Sequence, residues 1–440
     1  MNIRIVLLGT AACALLAGPA MASSQSDARL DQLQMMVQEQ NQDIQQIKAD
    51  EASTADVSQQ LEATQAQVQA VNARVDTLVD SDKDGWWYNT KVSGRMYFDA
   101  TQYEQKLNGN DVASQKGIGF DIKRFYIGID HKFDSVWSAN ITTDFLYDSS
   151  AKNATQIYIK KAFLDAHLDD ALDIKLGSTD MPWIPFAEGV YGYRYVENTL
   201  IDRLKLGNSA DWGVHFSGKF GDGGMFAYAV SVINGAGYKT PPGAGNQVRF
   251  KSVDVEGRLS ANIDHFTVAV GGYDGRLGKD MQGAATPAIH DATRFNALAA
   301  YTDDMFRVGV EYFSARDFLE VAPTAANCPG GLAKNCKDSD DGYSGFAAVK
   351  FDPQWAVFGR YDWIEEKTND TSIRRPRDGY YNVGVEWTPA KIVSLALVYK
   401  HDSEDHGKLS QQNGSGTLGT NSLGAKGTYN EIGLFGVFQW

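Results

Sequence analysis

The sequence predicts an all-β fold: a 16-stranded antiparallel transmembrane β-barrel with an N-terminal periplasmic α-helical coiled coil. Strand-like runs with alternating apolar and polar side chains recur from Trp86 onward, and a period of two places the apolar set on one face of a sheet. The connectors between the runs alternate strictly between short and long, as in a barrel that crosses a membrane. The last run, Ile432–Trp440, also alternates and ends on an aromatic residue.

Composition excludes two other classes of protein. The 440 residues include 55 acidic and 41 basic side chains, which give a formal net charge of −14. Because nucleic-acid binding needs a basic surface, we expect no nucleic-acid partner. Beyond the extreme N-terminus, no stretch has the roughly 18 consecutive apolar residues that a membrane-spanning helix needs, so a polytopic helical membrane protein is excluded.

Residues 1–22 are predicted to be a secretory signal peptide. Arg4 precedes an apolar run from Ile5 to Leu16, and Ala20-Met21-Ala22 has the small-residue pattern of a cleavage site. Cys13 lies inside the apolar run, which argues against a lipoprotein acceptor. Export would place the mature protein in an oxidising compartment.

Residues 23–85 are predicted to form a periplasmic coiled coil followed by an acidic linker. Apolar residues follow heptad spacing from Leu30 to Ile47 and again from Val57 to Leu78, and such a seam needs a partner helix. We predict an oligomeric coiled coil; a lone amphipathic helix and a disordered spacer are the alternatives. Asp80–Gly85 matches half of a calcium loop, but Lys91 stands where the loop needs Glu, so a solvated acidic hinge is the simpler interpretation.

Residues 86–440 are predicted to form the barrel. Because the number of strands is even, the N-terminal and C-terminal ends of the barrel lie on the same side of the membrane. We expect this side, with the coiled coil, to be the periplasm. The C-terminal Trp440 is then the residue that the barrel assembly machinery of the outer membrane would bind. The sixteen runs begin near residues 91, 117, 135, 155, 172, 211, 224, 248, 265, 291, 305, 342, 354, 378, 391 and 427. The long connectors are expected at 105–116, 149–154, 181–210, 236–247, 280–290, 318–341, 368–377 and 404–426.

The charged side chains of the strands indicate a water-filled interior. If the apolar face points outward, the charged side chains point inward, and so many charges cannot be buried without water or partners. A barrel of about sixteen strands is wide enough for an aqueous channel. The third long connector, 181–210, is rich in Tyr and Arg and is expected to fold into the lumen; an external loop used in subunit contacts is the alternative. The residues predicted to guide solutes are Arg194, Arg203 and Lys205 on this connector and Arg95, Arg124, Arg294, Arg307 and Arg360 on the wall.

Cysteines and histidines give no sign of a metal site or of catalysis. Cys328 and Cys336 lie in one exported loop with Pro-Gly-Gly between them, which predicts a disulfide. Two thiolates are too few for structural zinc, and we expect no metal and no cofactor. The seven His are scattered, with no hydrolase or phosphate-binding motif, so we do not expect an enzyme. An outer-membrane enzyme acting through His167 or His215 is the rival hypothesis.

The exported chain resembles the phosphate-selective porin O and P family of outer-membrane channels. The resemblance rests on Asp173–Pro182 (DIKLGSTDMP), Tyr193–Asn198 (YRYVEN), Ile233–Gly235 and Gly359–Asp362. It implies a trimeric sixteen-stranded porin whose third loop narrows the pore and whose basic side chains guide anions. The chain departs from the family at Asp180, where many members have a base; dicarboxylate-type and general porins share the same architecture.

These features together predict a homotrimeric outer-membrane porin surrounded by lipid and lipopolysaccharide. Small hydrophilic solutes, especially anions such as phosphate or dicarboxylates, would diffuse through it passively. The alternative is a structural tether, in which the coiled coil grips the cell wall and the barrel is only an anchor.

Overall fold

A computed structural model describes most of the chain, which divides into two compact units, residues 1–88 and 89–440. The predicted signal peptide, the acidic motif at 80–84 and the predicted Cys328–Cys336 disulfide lie outside the described residues and stay predictions. The described residues are 23–50, 64–74, 85–147, 155–239, 252–278, 291–318, 338–368, 377–405 and 426–440.

The first unit holds two described helices. These are α1, Ser23–Asp50, and α2, residues 64–74. Leu33 and Val37 of α1 line a shallow pocket together with Asn72 of α2, so the two helices lie side by side within one chain. Ile44 of α1 and Val68 of α2 are buried. The heptad seam therefore meets a helix of its own chain, and an oligomeric coiled coil remains a prediction. In the described parts of the chain, no helix is long and apolar enough to cross a membrane.

The second unit is a closed barrel of sixteen antiparallel strands, which confirms the predicted fold class. Each strand pairs with its neighbours in sequence, and β1 pairs with β16 to close the cylinder. The strands are β1 Thr90–Leu107, β2 Asn110–Lys132, β3 Trp137–Tyr147, β4 Thr155–Asp169, β5 Leu172–Asp180, β6 Ala210–Phe220, β7 Phe226–Ile233, β8 Asp254–Ile263, β9 Phe266–Gly275, β10 Ala292–Thr302, β11 Phe306–Arg316, β12 Asp338–Asp352, β13 Trp355–Thr368, β14 Arg377–Ala390, β15 Val393–Asp405 and β16 Lys426–Gln439.

The exposed apolar side chains of the strands point away from the lumen. On β9, Val268 and Val270 are about half exposed, whereas Ala269 and Tyr273, on the opposite face, are buried. The same alternation recurs around the cylinder, so large exposed apolar side chains cover its outer surface. An apolar exterior with a polar interior is the arrangement of a barrel that spans a membrane.

The first hairpin differs from its prediction. Residues 105–116 were expected to form a long connector, but β1 continues to Leu107 and β2 begins at Asn110, directly opposite. Asn108 and Gly109 both have positive φ, 51° and 80°, as in a two-residue hairpin turn whose twist matches the flanking strands. The Asn-Gly pair therefore turns the chain tightly and lets both strands extend.

Two strands of the barrel wall contain a β-bulge beside the lumen. In β2 the pairing with β1 passes from Arg124 to Ile122 and skips Lys123. In β4 the pairing with β3 passes from Lys161 to Ile159 and skips Lys160. A bulge inserts an extra residue and breaks the two-residue alternation. As a result, two consecutive basic side chains face the interior at each bulge.

Candidate permeation pathway

Residues 181–209, here called loop 3, fold into the lumen as predicted. They join β5 to β6 and contain two helices, α3, Ile184–Tyr191, and α4, Leu200–Arg203. At one end of the loop, the Trp183 indole N–H donates to Glu311 of β11 at 2.7 Å. Further along, Lys400 of β15 lies 3.2 Å from Glu197 of the loop. Both wall residues point inward, so loop 3 lies inside the cylinder.

Loop 3 covers one side of the interior through apolar packing. Ile184, Leu200 and Ile201 are fully buried in a cluster with Leu298 of β10 and Phe313 of β11. A second cluster joins three loop tyrosines to β12–β16, where Tyr193 stacks on Phe358 with ring centroids 4.0 Å apart. Burying this much apolar surface fixes the loop against the wall from β7 to β16. Among the described residues, neither cluster includes a residue of β3–β5, so the apolar packing of loop 3 leaves the lumen uncovered toward β3–β5.

Three of the predicted guiding residues do not line open space. Arg203, which is fully buried, lies within 3.4 Å of carboxylates of Asp362, Asp378 and Asp402. Arg294 and Arg360 are also buried. Such guanidinium groups are held by ion pairs and cannot meet a passing solute, so the guiding role predicted for these three residues is corrected to that of anchors between loop 3 and the wall.

The contacts of Arg294 and Arg360 support this correction. Arg294 lies 2.6 Å from Glu256 and donates to the backbone carbonyl of Leu206. Arg360 lies 2.6 Å from Asp362 and donates to the carbonyl of Asn198 at 2.5 Å. Each guanidinium thus joins a wall carboxylate to the loop backbone. The sequence shows that these residues are basic and inward, but not that an acid and the loop cover them.

Two lysines anchor the middle of loop 3. Lys123, at the β2 bulge, donates to the Val196 carbonyl at 2.8 Å. Lys400 lies 3.2 Å from both Glu197 and Glu431. Burial alone would raise the pKa of Glu197, but Lys400 and Lys123 outweigh burial and bring it to about 2. The Glu197 carboxylate therefore stays ionised and holds the loop at neutral pH.

Gly192 marks the closest approach of loop 3 to one predicted guiding residue, Arg307. It ends α3 with φ +83°, and a Cβ added there would collide with the Arg307 guanidinium. Arg307 is half-buried beneath the loop. Arg95 and Lys205 are exposed, on β1 and after α4 respectively.

A cluster of partly exposed bases faces the open side of the lumen. It comprises Arg124, Lys160, Lys161, Arg194 and Lys239, here called the basic wall. Arg124 and Arg194 were predicted as guiding residues; the other three were not assigned that role. Lys160 breaks the alternation because it lies at a bulge, and Lys239 follows β7 in a connector. The adjacent pair Lys160-Lys161 within one strand is the sequence signal that could have indicated a bulge.

Tyrosine rings support the ammonium and guanidinium groups of the basic wall. Lys160 Nζ lies 4.9 Å from the Tyr126 ring centroid. Lys239 Nζ lies 5.4 Å and 5.5 Å from the rings of Tyr158 and Tyr238. A cation above an aromatic face is attracted to it without losing its charge. The rings therefore position these cations while leaving them able to attract an anion.

The bases of the wall are unequally neutralised. Arg124 lies 3.2 Å from Asp144, and Lys161 contacts Asp180. Within the described residues, neither Lys160 nor Lys239 has a carboxylate within 4.0 Å. Burial, with the nearby Arg124 guanidinium, lowers the pKa of Lys239 to about 8. Lys239 is therefore the least compensated positive charge of the wall, whereas the charges of Asp180 and Glu188 act on Lys160 from a longer distance.

Loop 3 contributes the last base of the cluster. Arg194 lies 2.6 Å from Glu188 and 3.4 Å from Asp202, and its guanidinium lies 5.8 Å from the Tyr97 ring centroid. Both carboxylates belong to the loop itself. They hold Arg194 across from β1, so the base stays at the boundary between the loop and the open lumen.

The two histidines of the rival enzyme hypothesis have ordinary structural partners. His215 Nδ1 lies 2.7 Å from the Ser231 hydroxyl. His167 Nδ1 lies 2.6 Å from Asp173 near the β4–β5 turn. The two contacts lie on different strand pairs. In the described parts of the chain, no group of His, Cys, Asp and Glu is arranged to hold a metal ion.

Comparisons with known proteins identify the architecture of the barrel. No family model and no curated protein matches the sequence. The anion-selective porin from Comamonas acidovorans is 12% identical with a TM-score of 0.56, and the match covers 79% of this chain and 99% of that one. The outer membrane channel DcaP of Acinetobacter baumannii is 12% identical with a TM-score of 0.53, covering 80% and 97%. Outer-membrane expressed OmpT of Vibrio cholerae is 13% identical with a TM-score of 0.52, also covering 80% and 97%. At such identities the likeness establishes a shared fold.

Proposed function

We propose that this protein is an outer-membrane porin through which small hydrophilic solutes diffuse passively, with a preference for anions such as phosphate or dicarboxylates. The observation that carries the proposal is the basic wall, whose bases lie on β2, on β4, on loop 3 and in the connector after β7. Its bases are partly exposed, and two of them, Lys160 and Lys239, have no carboxylate within 4.0 Å among the described residues. An anion-selective porin is among the solved structures that this chain resembles.

The distribution of charge supports a wet lumen. Partly exposed lysines inside a cylinder with an apolar exterior need water or counter-ions, because an uncompensated ammonium group in a dry interior is too costly. Anions are the counter-ions that such a wall attracts, and selectivity is set where a pore is narrow. Loop 3 narrows this lumen at the level of the basic wall.

The proposal assigns different roles to the bases. Lys160, Lys239, Arg124 and Arg194 guide anions, whereas the buried arginines fix loop 3 in place. Asp180, the residue at which the chain departs from the phosphate-selective porins, contacts Lys161. Its carboxylate therefore reduces the positive charge of the basic wall at this point. This favours a general anion preference over strict phosphate selectivity. The channel has no chemical step.

The trimer follows from the family resemblance, and the rest of the assignment follows from the sequence. The porin is a homotrimer in the outer membrane, surrounded by lipid and lipopolysaccharide, with its N-terminal helices in the periplasm. The barrel assembly machinery binds the C-terminal strand through Trp440. Two cysteines, Cys328 and Cys336, form a disulfide in an external loop.

Reversal potentials in a salt gradient test the anion preference. Wild type is compared with Lys160→Gln plus Lys239→Gln, and with Lys391→Gln as a control that removes one charge in an exposed periplasmic turn. The double variant should lose anion preference by at least roughly fivefold, because each unit charge about 4 Å from a passing anion contributes about 1 kcal/mol in water. The control should match wild type. An unchanged reversal potential in the double variant contradicts the role of the basic wall.

Conductance separates the channel from the tether alternative. Reconstituted protein should give current steps in groups of three in a planar bilayer, because each trimer inserts three pores. A barrel that serves only as an anchor would give no steps, and the proposal of a porin would then be abandoned.

A further inference from the structure

The connector that follows β7 enters the lumen at its start, residues 234–239, here called the β7 connector. The Tyr238 hydroxyl donates to Asp144 of β3 at 2.6 Å. Asp144 faces the lumen, because it lies 3.2 Å from the inward base Arg124. In the closed barrel, β4, β5 and β6 lie between β3 and β7. The β7 connector therefore reaches β3 across the inner face of these strands.

Two glycines and a buried carboxylate turn the β7 connector inward. Gly235 and Gly237 have φ of +82° and +76°, a backbone conformation that favours glycine. The Gly237 N–H donates to the carboxylate of Asp211, which is fully buried on β6, at 2.9 Å. The next N–H, that of Tyr238, donates to the carbonyl of Ala210 at 3.1 Å. These bonds fix the backbone against the end of β6 and direct the Tyr238 side chain across the lumen.

The β7 connector also contacts loop 3. The Asn208 side-chain amide donates to the Gly235 carbonyl at 3.5 Å. A Cβ added at Gly237 would lie 2.6 Å from the Asn208 side-chain oxygen. Loop 3 and the β7 connector are thus packed side by side where β6 begins.

Asp144 holds two bases of the basic wall in place with one carboxylate oxygen. Its Oδ2 accepts from the Tyr238 hydroxyl and from the Arg124 guanidinium, and the side chain is fully buried. Hydrogen bonds to an ionised carboxylate are stronger than those between neutral groups. Lys239 Nζ lies 5.5 Å from the Tyr238 ring and 5.4 Å from the Tyr158 ring. Fixing the Tyr238 ring therefore also fixes the site occupied by the Lys239 ammonium group.

We propose that Tyr238 and Asp144 are positioning residues for anion permeation, whose hydrogen bond, here called the Tyr238–Asp144 latch, holds Lys239 inside the lumen. Lysine carries its charge on a flexible four-carbon stem. In water, a unit charge acts appreciably on an anion only within a few Å. The latch places this charge beside the path, and the β7 connector then narrows the lumen together with loop 3. The inference rests on the anion-selective porin proposed above.

Tyr238→Phe tests the latch, because it removes the hydroxyl and leaves the ring. Reversal potentials of the full-length protein in a salt gradient should show anion preference reduced by about two- to fivefold. The upper limit is the effect of losing one unit charge about 4 Å from the path, as in Lys239→Gln. In a Lys239→Gln background, Tyr238→Phe should cause no further change. The matched control, Tyr228→Phe, removes a hydroxyl that donates to the Ala171 carbonyl at 2.7 Å and should match wild type.

Two results of this cycle overturn the inference. One is an unchanged reversal potential in Tyr238→Phe. The other is an equal loss of anion preference with and without the Lys239 charge, because Tyr238 would then act independently of Lys239. Either result, alongside anion-selective current in wild type, overturns only the latch. Absence of current in wild type would overturn the porin proposal itself.

A pair of variants at Asp144 tests the other half of the latch. Asp144→Asn and Asp144→Ala remove the same charge, but only Asn keeps a side-chain oxygen that can accept from Tyr238. Anion preference should be about two- to fivefold lower in Asp144→Ala than in Asp144→Asn. In a Lys239→Gln background the two variants should be equal. Equal preferences with Lys239 present, or a difference that persists without its charge, would contradict the latch.

Discussion

At the residue scale, the structure separates bases that meet the lumen from bases that hold loop 3. Sequence alternation correctly predicts that Arg124, Arg294 and Arg360 point inward, because a period of two follows from local strand geometry. Whether the side chain of a base is then exposed to the lumen or covered depends on loop 3, residues 181–209, which is distant from most wall strands in sequence. Arg203 is the clearest case: three wall carboxylates surround it, and none is near it in sequence.

This separation predicts different results for two single substitutions in loop 3. Arg194→Ala should shift the reversal potential toward cations by a few-fold in permeability ratio, because a partly exposed positive charge is removed. Arg203→Ala should instead remove the cation that three wall carboxylates share, loosen the loop and increase current noise. Single-channel recordings of both variants check this. If both variants showed the same current noise and the same shift in reversal potential, Arg194 and Arg203 would not differ in role.

The pH dependence of ion selectivity should report on Lys239. Its pKa is lowered to about 8, so the side chain is charged below this pH and becomes neutral above it. Anion preference should therefore fall between about pH 7 and pH 9, well below the ordinary lysine range. In Lys239→Gln this part of the profile should be flat. A wild-type profile without a step in this range would argue against a functional role of the Lys239 charge.

At the scale of elements, the sequence predicts the strands better than their irregularities. The sixteen runs and the loop that enters the lumen follow from periodicity and connector length. The tight Asn108-Gly109 turn and the bulges at Lys123 and Lys160 depend on one or two residues that override the pattern. Since the bulges supply two bases of the interior, alternation alone cannot predict this part of the site.

Loop 3 should depend on Lys400 for its stability. Lys400→Met leaves Glu197 and Glu431 as buried carboxylates without their cation, which should cost about 3 kcal/mol or more in the free energy of unfolding. Denaturant unfolding of the detergent-solubilised protein measures this, with Lys391→Met as the exposed control. Adding Glu197→Gln to Lys400→Met should recover part of the loss. Equal stabilities of wild type and Lys400→Met would show that the ion pairs do not hold the loop.

At the scale of the whole molecule, one division of side chains explains both the fold and the proposed function. Apolar side chains such as Val268 and Leu397 cover the outside of the cylinder, and charged side chains such as Lys160 and Arg124 face the inside. The sequence is sufficient to predict this division because it is periodic. The asymmetry of the interior, with loop 3 packed on one side and the partly exposed bases between it and β2–β4, arises only when the cylinder closes.

The most direct test of this account is whether current passes along the basic wall. Lys160→Cys and Leu397→Cys are compared in a background in which Cys328 and Cys336 are replaced by Ser, during exposure to an anionic, membrane-impermeant thiol reagent. The account predicts a stepwise fall in single-channel current for Lys160→Cys and no change for Leu397→Cys. Reaction at position 160 that leaves the current unaltered would contradict it.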